Sequence, residues 1–224
     1  MHRFIWDLRY EPPKVLRHDY PIAAIYKDTP LEPRGTLVLP GNYRVKLTVS
    51  GRGYSQAIQV KIDPRIKTTA AGLAAQFDLS DQVTKSLADD YTALSEVKGL
   101  RQQAQSVRAK ASGQPASALA DLDKDLAAFE DARQSGSGFP RLNAELGQLF
   151  DILQGADDAP TTQATRAVSQ VREELQRQLT RWKSVKTTKL PAVNRQLKEA
   201  NLPELVIESA RPEETIEAGE EEEP

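Results

Sequence analysis

The alternation of apolar and polar residues changes its period once along the chain, near residues 63–65. Before that point, residues 43–49 carry an apolar side chain at every odd position and a polar one at each even position. Residues 54–62 alternate again after the glycine turn at 51–53 and place Ile58, Val60 and Ile62 on one face. Period-two alternation on both sides of a glycine turn predicts a β-hairpin with its apolar face turned inward.

Three shorter segments before the hairpin also have strand character, namely residues 3–10, 22–26 and 35–39. Prolines lie between them and mark loops, because proline cannot continue a ladder of backbone hydrogen bonds. Several short strands separated by turns are typical of antiparallel sheets that pack face to face. The first 66 residues are therefore expected to form a small antiparallel β-sandwich.

From about Leu73 the apolar residues recur every three or four positions, as on one face of a helix. Asp78 or Ser80 is the expected cap of the first helix. Because each apolar stripe must be buried against another, we expect an elongated up-down helical bundle. The five predicted helices carry the following stripes: Leu79 to Val107, with Val83, Leu87, Tyr91, Leu94, Val97, Leu100 and Ala104 between them; Leu119, Leu122, Leu126 and Phe129; Leu142, Leu146, Leu149, Phe150 and Leu153; Val168, Val171, Leu175, Leu179, Trp182 and Val185; and Leu190, Val193 and Leu197.

The predicted fold class is thus α+β, with a sandwich over residues 1–66, a helical bundle over 67–205 and an acidic disordered tail over 206–224. Residues 213–224 hold seven glutamates and neither lysine nor arginine. A segment with that composition buries too little apolar surface to fold and is expected to be solvated.

Composition excludes several classes of function. The chain has no cysteine, so disulfides and thiol chemistry are absent. No apolar run approaches the roughly 20 residues that a membrane-spanning helix needs. Outside the glutamate-rich end, 25 acidic residues face 30 basic ones, and the basic residues are spread along helix faces. That distribution is not the concentrated basic stripe of a nucleic-acid-binding surface, so no nucleic acid is expected as a partner.

Aromatic side chains are the candidate contacts to a ligand or a partner. Trp6, Tyr10 and Tyr43 lie in the predicted sandwich, where an exposed row of rings would suit a sugar. For Trp6, which precedes Asp7, burial in the sandwich is the favoured interpretation. Phe150 and Trp182 lie in phase with helix stripes and would anchor a partner only in an exposed groove.

Acid–base and metal chemistry find no support in the sequence. The two histidines, His2 and His18, have no metal-ligand spacing. Asp121, Asp123 and Asp125 follow the spacing of a calcium loop, but Leu126 and Ala132 stand where that loop needs glycine and glutamate. The remaining aspartate pairs, Asp89-Asp90 and Asp157-Asp158, are expected to be solvated on a helix surface and in a loop. We expect no catalytic residue, no metal and no cofactor.

Two segments of the N-terminal region carry a resemblance to a known family. Residues 3–10, Arg-Phe-Ile-Trp-Asp-Leu-Arg-Tyr, and residues 40–49, Pro-Gly-Asn-Tyr-Arg-Val-Lys-Leu-Thr-Val, resemble the immunoglobulin-like module that follows the β-propeller in bacterial sortilin-like proteins with Asp-box (BNR) repeats. Those proteins are often described as glycosyl-hydrolase-like. Residues 63–65, 153–161 and 190–197 are similar to the exit from that module and to the helical tail.

The resemblance covers most of residues 2–205 and implies a function without supplying catalytic residues. No Asp-box of the form Ser-x-Asp-x-Gly-x-x-Trp occurs in the chain. The family implies export to the periplasm or cell surface, a signal peptide upstream, and a propeller that precedes these residues in the same polypeptide. The chain is then expected to be a non-catalytic accessory region that acts by packing, spacing or assembly.

Two alternatives remain from the sequence. One is a carbohydrate- or envelope-binding module that reads its ligand with the aromatic residues of the sandwich. The other is an oligomerisation module in which helices 79–107 or 168–185 pair between chains.

Overall fold

The structure, a computed structural model, describes residues 4–25 and 29–207. It is mostly helical, at 55%, with one two-stranded antiparallel sheet. None of its helices in the described ranges is long and apolar enough to cross a membrane. The elements in chain order are β1 (Gly41–Val49), β2 (Arg52–Val60), α1 (Ala70–Arg108), α2 (Gly113–Phe129), α3 (Phe139–Gln154), α4 (Thr162–Ser184), a π-helical segment (Val185–Lys189) and α5 (Leu190–Glu199).

The predicted immunoglobulin-like β-sandwich is wrong. Within the described residues, β1 and β2 form the only sheet, and the segments at 3–10 and 35–39 are joined by a single bridge between Arg9 and Leu37. Residues 22–25 form no strand, and Tyr26 lies outside the described residues. Five prolines between residues 12 and 33 explain the difference, because each removes a backbone donor and fixes its own φ.

The predicted hairpin is confirmed. β1 and β2 pair in register from Gly41 opposite Val60 to Val49 opposite Arg52. The connecting residues Ser50 and Gly51 have φ values of 46° and 79°. Two consecutive residues in the left-handed region match the twist of the flanking strands, and this is the usual geometry of a two-residue hairpin turn.

The chain divides into two compact units, and α1, α3 and α4 contribute residues to both. The first unit comprises residues 1–87 and 145–172. Its buried apolar residues come mainly from the predicted helix stripes: Leu73, Leu79, Val83, Leu87, Leu146, Phe150, Leu153 and Val168, with Val38 from the N-terminal region.

The second unit comprises residues 88–144 and 173–224, of which the structure describes those up to 207. At its centre, the Phe129 ring stacks on Phe139 at 5.5 Å and meets Trp182 edge-on at 5.7 Å. The other buried apolar residues again follow the predicted stripes: Leu94, Val97, Leu100, Leu119, Leu122, Leu126, Leu142, Leu175, Val193 and Leu197. The predicted acidic tail lies, from residue 208, outside the described residues.

The first helix begins earlier than its predicted cap. α1 starts at Ala70, and the Oγ1 of Thr69 accepts a hydrogen bond from the Gly72 backbone N–H at 3.1 Å. Thr69 is therefore the capping residue. Ser80, one of the two predicted caps, is buried inside the helix, where its Oγ accepts a hydrogen bond from Gln154 Nε2 at 2.9 Å.

The fourth and fifth predicted helices are continuous with one another through the π-helical segment. The apolar stripe of the fourth predicted helix ends at Val185, the first residue of the π-helical segment, and that of α5 begins five residues later at Leu190. A spacing of five does not fit the 3.6-residue turn, but a π turn places residues five apart one above the other. Both Val185 and Leu190 are buried as a result.

Candidate interaction surface

Exposed apolar side chains are concentrated in the N-terminal region. Among the described residues, 16 large hydrophobic side chains are exposed, and 14 of them lie between residues 4 and 62. The helices leave only Ile152 exposed, and Val206 follows the last helix. The 14 residues are Phe4, Ile5, Tyr10, Leu16, Tyr20, Ile22, Ile25, Leu31, Val45, Leu47, Val49, Tyr54, Ile58 and Ile62.

The hairpin has one apolar face, and most of that face is exposed. Residues directly opposite one another in an antiparallel pair point to the same side, so Leu47 and Tyr54 share a face with Ile58. Their exposed fractions are 61%, 57% and 39%. We call this surface, formed by Tyr43, Val45, Leu47, Val49, Tyr54, Ile58 and Val60, the hairpin face. The prediction that its Ile58 and the adjoining Ile62 point into a core is wrong, because both are exposed.

A two-stranded hairpin whose apolar face is largely uncovered is an incomplete structural unit. Hairpins become stable in water when a third strand or a helix covers their apolar side. Contiguous exposed apolar surface on an otherwise well-packed protein marks an interaction site. The hairpin face therefore has the character of a docking surface.

Charge distinguishes the hairpin from its surroundings. Between Pro33 and Ile62 there is no acidic residue, whereas five basic ones occur: Arg34, Arg44, Lys46, Arg52 and Lys61. Arg44 and Lys46 alternate with the apolar residues of β1 and so point away from the hairpin face. Arg52 lies opposite Val49 and therefore shares the side of the hairpin face, so the basic residues of the hairpin are divided between its two sides.

The segment before the hairpin is held by backbone hydrogen bonds to residues 36–38. Tyr10 N–H donates to Thr36 O, and Val38 N–H donates to Leu8 O, each at 2.9 Å. A side chain at Gly35 would place its Cβ 1.6 Å from the Tyr10 carbonyl oxygen, so only glycine fits there. This close approach positions the aromatic residues of the segment.

The structure brings two of the predicted contact residues, Trp6 and Tyr43, into contact, whereas the Tyr10 ring lies against Phe77 with centroids 5.7 Å apart. Trp6 and Tyr43 pack edge to face with ring centroids 5.7 Å apart, and both are partly buried. Trp6 Nε1 donates to Arg9 O at 3.1 Å, and the Tyr43 hydroxyl donates to Leu39 O at 2.6 Å. Burial, and then the nearby Tyr10, raise the pKa of Tyr43. Of the three rings, Tyr10 is the exposed one, at 52%.

Phe150 and Trp182, the other two predicted contacts, are buried at 1% and 2% exposure. Trp182 Nε1 donates to Glu96 Oε2 at 2.8 Å, and Lys186 Nζ lies 5.4 Å from the centroid of the Trp182 ring. These residues belong to the packing of their units and present no surface to a partner.

A small cavity of about 200 Å³ lies in the first unit. Leu37, Leu73 and Phe77 form part of its wall, with Arg9 and Gln154 at its polar side. Arg9 Nη1 already donates to Gly35 O at 2.7 Å and to Gln154 Oε1 at 3.2 Å. The cavity is smaller than the roughly 300 Å³ at which small-molecule sites begin, and its charged group is engaged.

Two of the three carboxylates that follow calcium-loop spacing form ion pairs. Asp123 Oδ1 lies 2.9 Å from Arg101 Nε, and Asp125 pairs with Lys189. Within residues 4–25 and 29–207, no group of three or more histidine, aspartate or glutamate side chains is arranged to hold a metal ion.

Comparison of the chain with models of known protein families, with curated proteins and with solved structures finds no match.

Proposed function

We propose that the chain is a non-catalytic accessory region that docks on a larger protein through the apolar surface of residues 4–62. One observation carries this proposal: 14 of the 16 exposed large hydrophobic residues in the described ranges fall in this region. The helices, in contrast, bury most of their own apolar stripes. Docking would cover the hairpin face and remove its contact with water.

The resemblance of the sequence supports a β-propeller as the docking partner. The segments at 3–10 and 40–49 that resemble the module following an exported propeller are also the segments that form or flank the exposed surface. A propeller offers sheet surfaces of the kind that pack on the apolar face of a hairpin. On this proposal the partner precedes the chain in the same polypeptide, and the protein works outside the cytoplasm.

Carbohydrate binding is the second candidate, and it rests on two exposed rings. Tyr10 and Tyr20 are 52% and 62% exposed, and tyrosine combines an apolar ring with a polar hydroxyl that suits a sugar. Trp6 and Tyr43, by contrast, are partly buried against one another, so the four rings do not form one uniformly exposed row.

Oligomerisation through the helices would need an exposed apolar helix face, and the described residues do not supply one at the predicted stripes. The apolar stripes of residues 79–107 and 168–185 are largely buried within the chain. An oligomer would therefore have to use a surface other than these stripes.

An immunoblot of fractionated native cells, with an antibody raised against residues 4–207, tests the proposal. We expect a band far larger than 24.8 kDa in the periplasmic or envelope fraction. A band at 24.8 kDa in the cytosol would overturn the proposal of a larger exported protein. Binding of the purified chain to glycan arrays, lost on Tyr10→Ala and Tyr20→Ala substitution, would favour the second candidate instead.

A further inference from the structure

A second surface, independent of the proposed docking function, lies on the last helices of the second unit. Residues 175–198 contain seven basic residues and no acidic one. Residues 213–224 contain seven glutamates and no basic residue. The two segments are therefore equal and opposite in formal charge.

Five of the seven basic residues are exposed and form no ion pair with any residue in the described ranges. The other two are partly buried and already compensated: Lys186 Nζ lies 2.7 Å from Glu96 Oε2, and Lys189 pairs with Asp125. The five residues without an ion pair are Arg177, Arg181, Lys183, Arg195 and Lys198, and of these Arg181 lies over the Phe129 ring, with its Cζ 4.8 Å from the ring centroid.

Two of these cations lie beside a groove on α5. Leu190 and Pro191 form part of its apolar lining, and Arg195 and Lys198 provide its positive charge. Since the two cations are three residues apart, they lie on neighbouring positions of one helix face. Glu204 is the one acidic residue that lines the groove.

The chain is anchored beside this groove just before the acidic segment begins. Asn194 clamps Leu205 with two hydrogen bonds of 2.8 Å, one to the backbone N–H and one to the carbonyl oxygen. Gln103 clamps Val206 in the same way at 3.0 Å. The Asn194 amide therefore both lines the groove and holds the chain as it leaves α5.

We propose that the groove on α5 binds the acidic segment, residues 208–224, of the same chain. The segment contains one large apolar residue, Ile216, with Glu214 and Glu217 close to it in sequence. In the proposed contact Ile216 would pair with the apolar part of the groove, and the glutamates would pair with Arg195 and Lys198. The nine residue-to-residue steps from Ile207 to Ile216 span up to about 30 Å in an extended chain, which is enough to reach a groove beside the anchored residues.

Attachment to the same chain makes weak contacts sufficient. Exposed ion pairs are individually weak and are screened by salt. A short tether to the anchored residues, however, raises the effective concentration of the segment near the groove, and such concentrations reach the mM range for short linkers. The proposed contact should therefore form at low ionic strength and loosen as salt is added.

The absence of cysteine permits a direct test in the full chain. A nitroxide spin label is attached at Ala218→Cys, and the NMR signals of the α5 backbone amides are compared with the label oxidised and reduced. We expect severalfold loss of signal at Val193–Lys198 in low salt. Most of that signal should return at 0.5 M salt and in the double variant Arg195→Gln, Lys198→Gln.

The hairpin supplies a control with the same change in charge, Arg44→Gln with Lys46→Gln, which should leave the broadening of α5 unchanged. Broadening that persists in the α5 double variant would show that the tether alone brings the label close, and would overturn the proposal. Broadening that appears on unlabelled, isotope-enriched chains mixed with labelled ones would overturn the contact within one chain. Since the test uses only α5 and the acidic segment, it is independent of the docking proposal.

Discussion

Asn143 Nδ2 donates a hydrogen bond to Asp90 Oδ1 at 3.1 Å, and both side chains are buried, with Asp90 fully inaccessible to water. The second carboxyl oxygen, Oδ2, has no hydrogen-bond partner in the described residues. Burial raises the pKa of Asp90 to about 8, and the hydrogen bond from Asn143 opposes that shift only in part. The helical core of the second unit thus holds a carboxyl group that is largely neutral at pH 7.

The raised pKa makes stability depend on pH in a defined direction. Between the ordinary pKa of 3.8 and about 8, the folded chain keeps a proton that the unfolded chain has lost. The free energy of unfolding therefore falls as pH rises through this interval. We predict that Asp90→Asn raises the free energy of unfolding by about 2–5 kcal/mol at pH 9 and changes that free energy little at pH 4.

Urea unfolding followed by circular dichroism at both pH values measures this effect. Asp89, next to Asp90 and exposed, supplies the control. In the Asp89→Asn variant, the free energy of unfolding should differ between pH 4 and pH 9 by the same amount as in the unsubstituted chain. Equal stabilisation by Asp90→Asn at pH 4 and pH 9 would contradict a buried neutral carboxyl.

Glu96 links the buried indole of Trp182 to a lysine. Its Oε2 accepts hydrogen bonds from Trp182 Nε1 at 2.8 Å and from Lys186 Nζ at 2.7 Å. Glu96→Ala leaves the indole N–H buried without an acceptor, so we predict a loss of about 1–3 kcal/mol in the free energy of unfolding. Glu96→Gln keeps an acceptor oxygen and should cost less.

Denaturant unfolding followed by tryptophan fluorescence compares these variants. Glu173→Ala, at an exposed position of α4, should change the free energy of unfolding by less than about 0.5 kcal/mol. If Glu96→Ala were as mild as this control, the hydrogen bond to Trp182 would carry no measurable stability.

The hairpin face should tolerate polar residues in the isolated chain. Leu47 and Ile58 are already exposed, and threonine retains a preference for strands. We predict that Leu47→Thr with Ile58→Thr changes the free energy of unfolding by no more than about 0.5 kcal/mol. The same double variant should reduce the binding of the apolar dye ANS, because the exposed apolar surface shrinks.

The buried residue Leu122 provides the comparison for the hairpin variants. Leu122→Thr places a hydroxyl group in the core, and its cost should exceed about 2 kcal/mol. Should the hairpin double variant lose as much stability as Leu122→Thr, the hairpin face would be covered within the chain and could not be a docking surface.

The hairpin shows what alternation of residues can and cannot predict. The odd positions from Tyr43 to Val49 and the glycine turn were sufficient to predict the paired strands. They identify an apolar side, but alternation alone does not say what covers it, and the burial of Ile58 was predicted wrongly. The prediction of a sandwich was wrong for a related reason. Apolar segments between prolines look like strands, but each proline lacks the backbone N–H group that a ladder of hydrogen bonds needs.

The burial of Asp90 was not predicted, although its position along the helix indicates it. It lies three residues after Leu87 and four before Leu94, in phase with the buried stripe of α1. An aspartate on a helix is usually solvated, and that expectation took precedence over the spacing. The interval of five between Val185 and Leu190 likewise breaks the helical period, and the π-helical segment accommodates it.

Oxidative footprinting of the protein purified from its native cells tests the docking surface most directly. Hydroxyl radicals label accessible Leu47, Tyr54 and Ile58, and Ile152, exposed on α3 at 66%, serves as the internal reference. We predict severalfold lower labelling of the three hairpin residues in the native protein than in the isolated chain, with Ile152 unchanged. Equal labelling of the hairpin in both preparations would show that nothing covers it and would contradict the account.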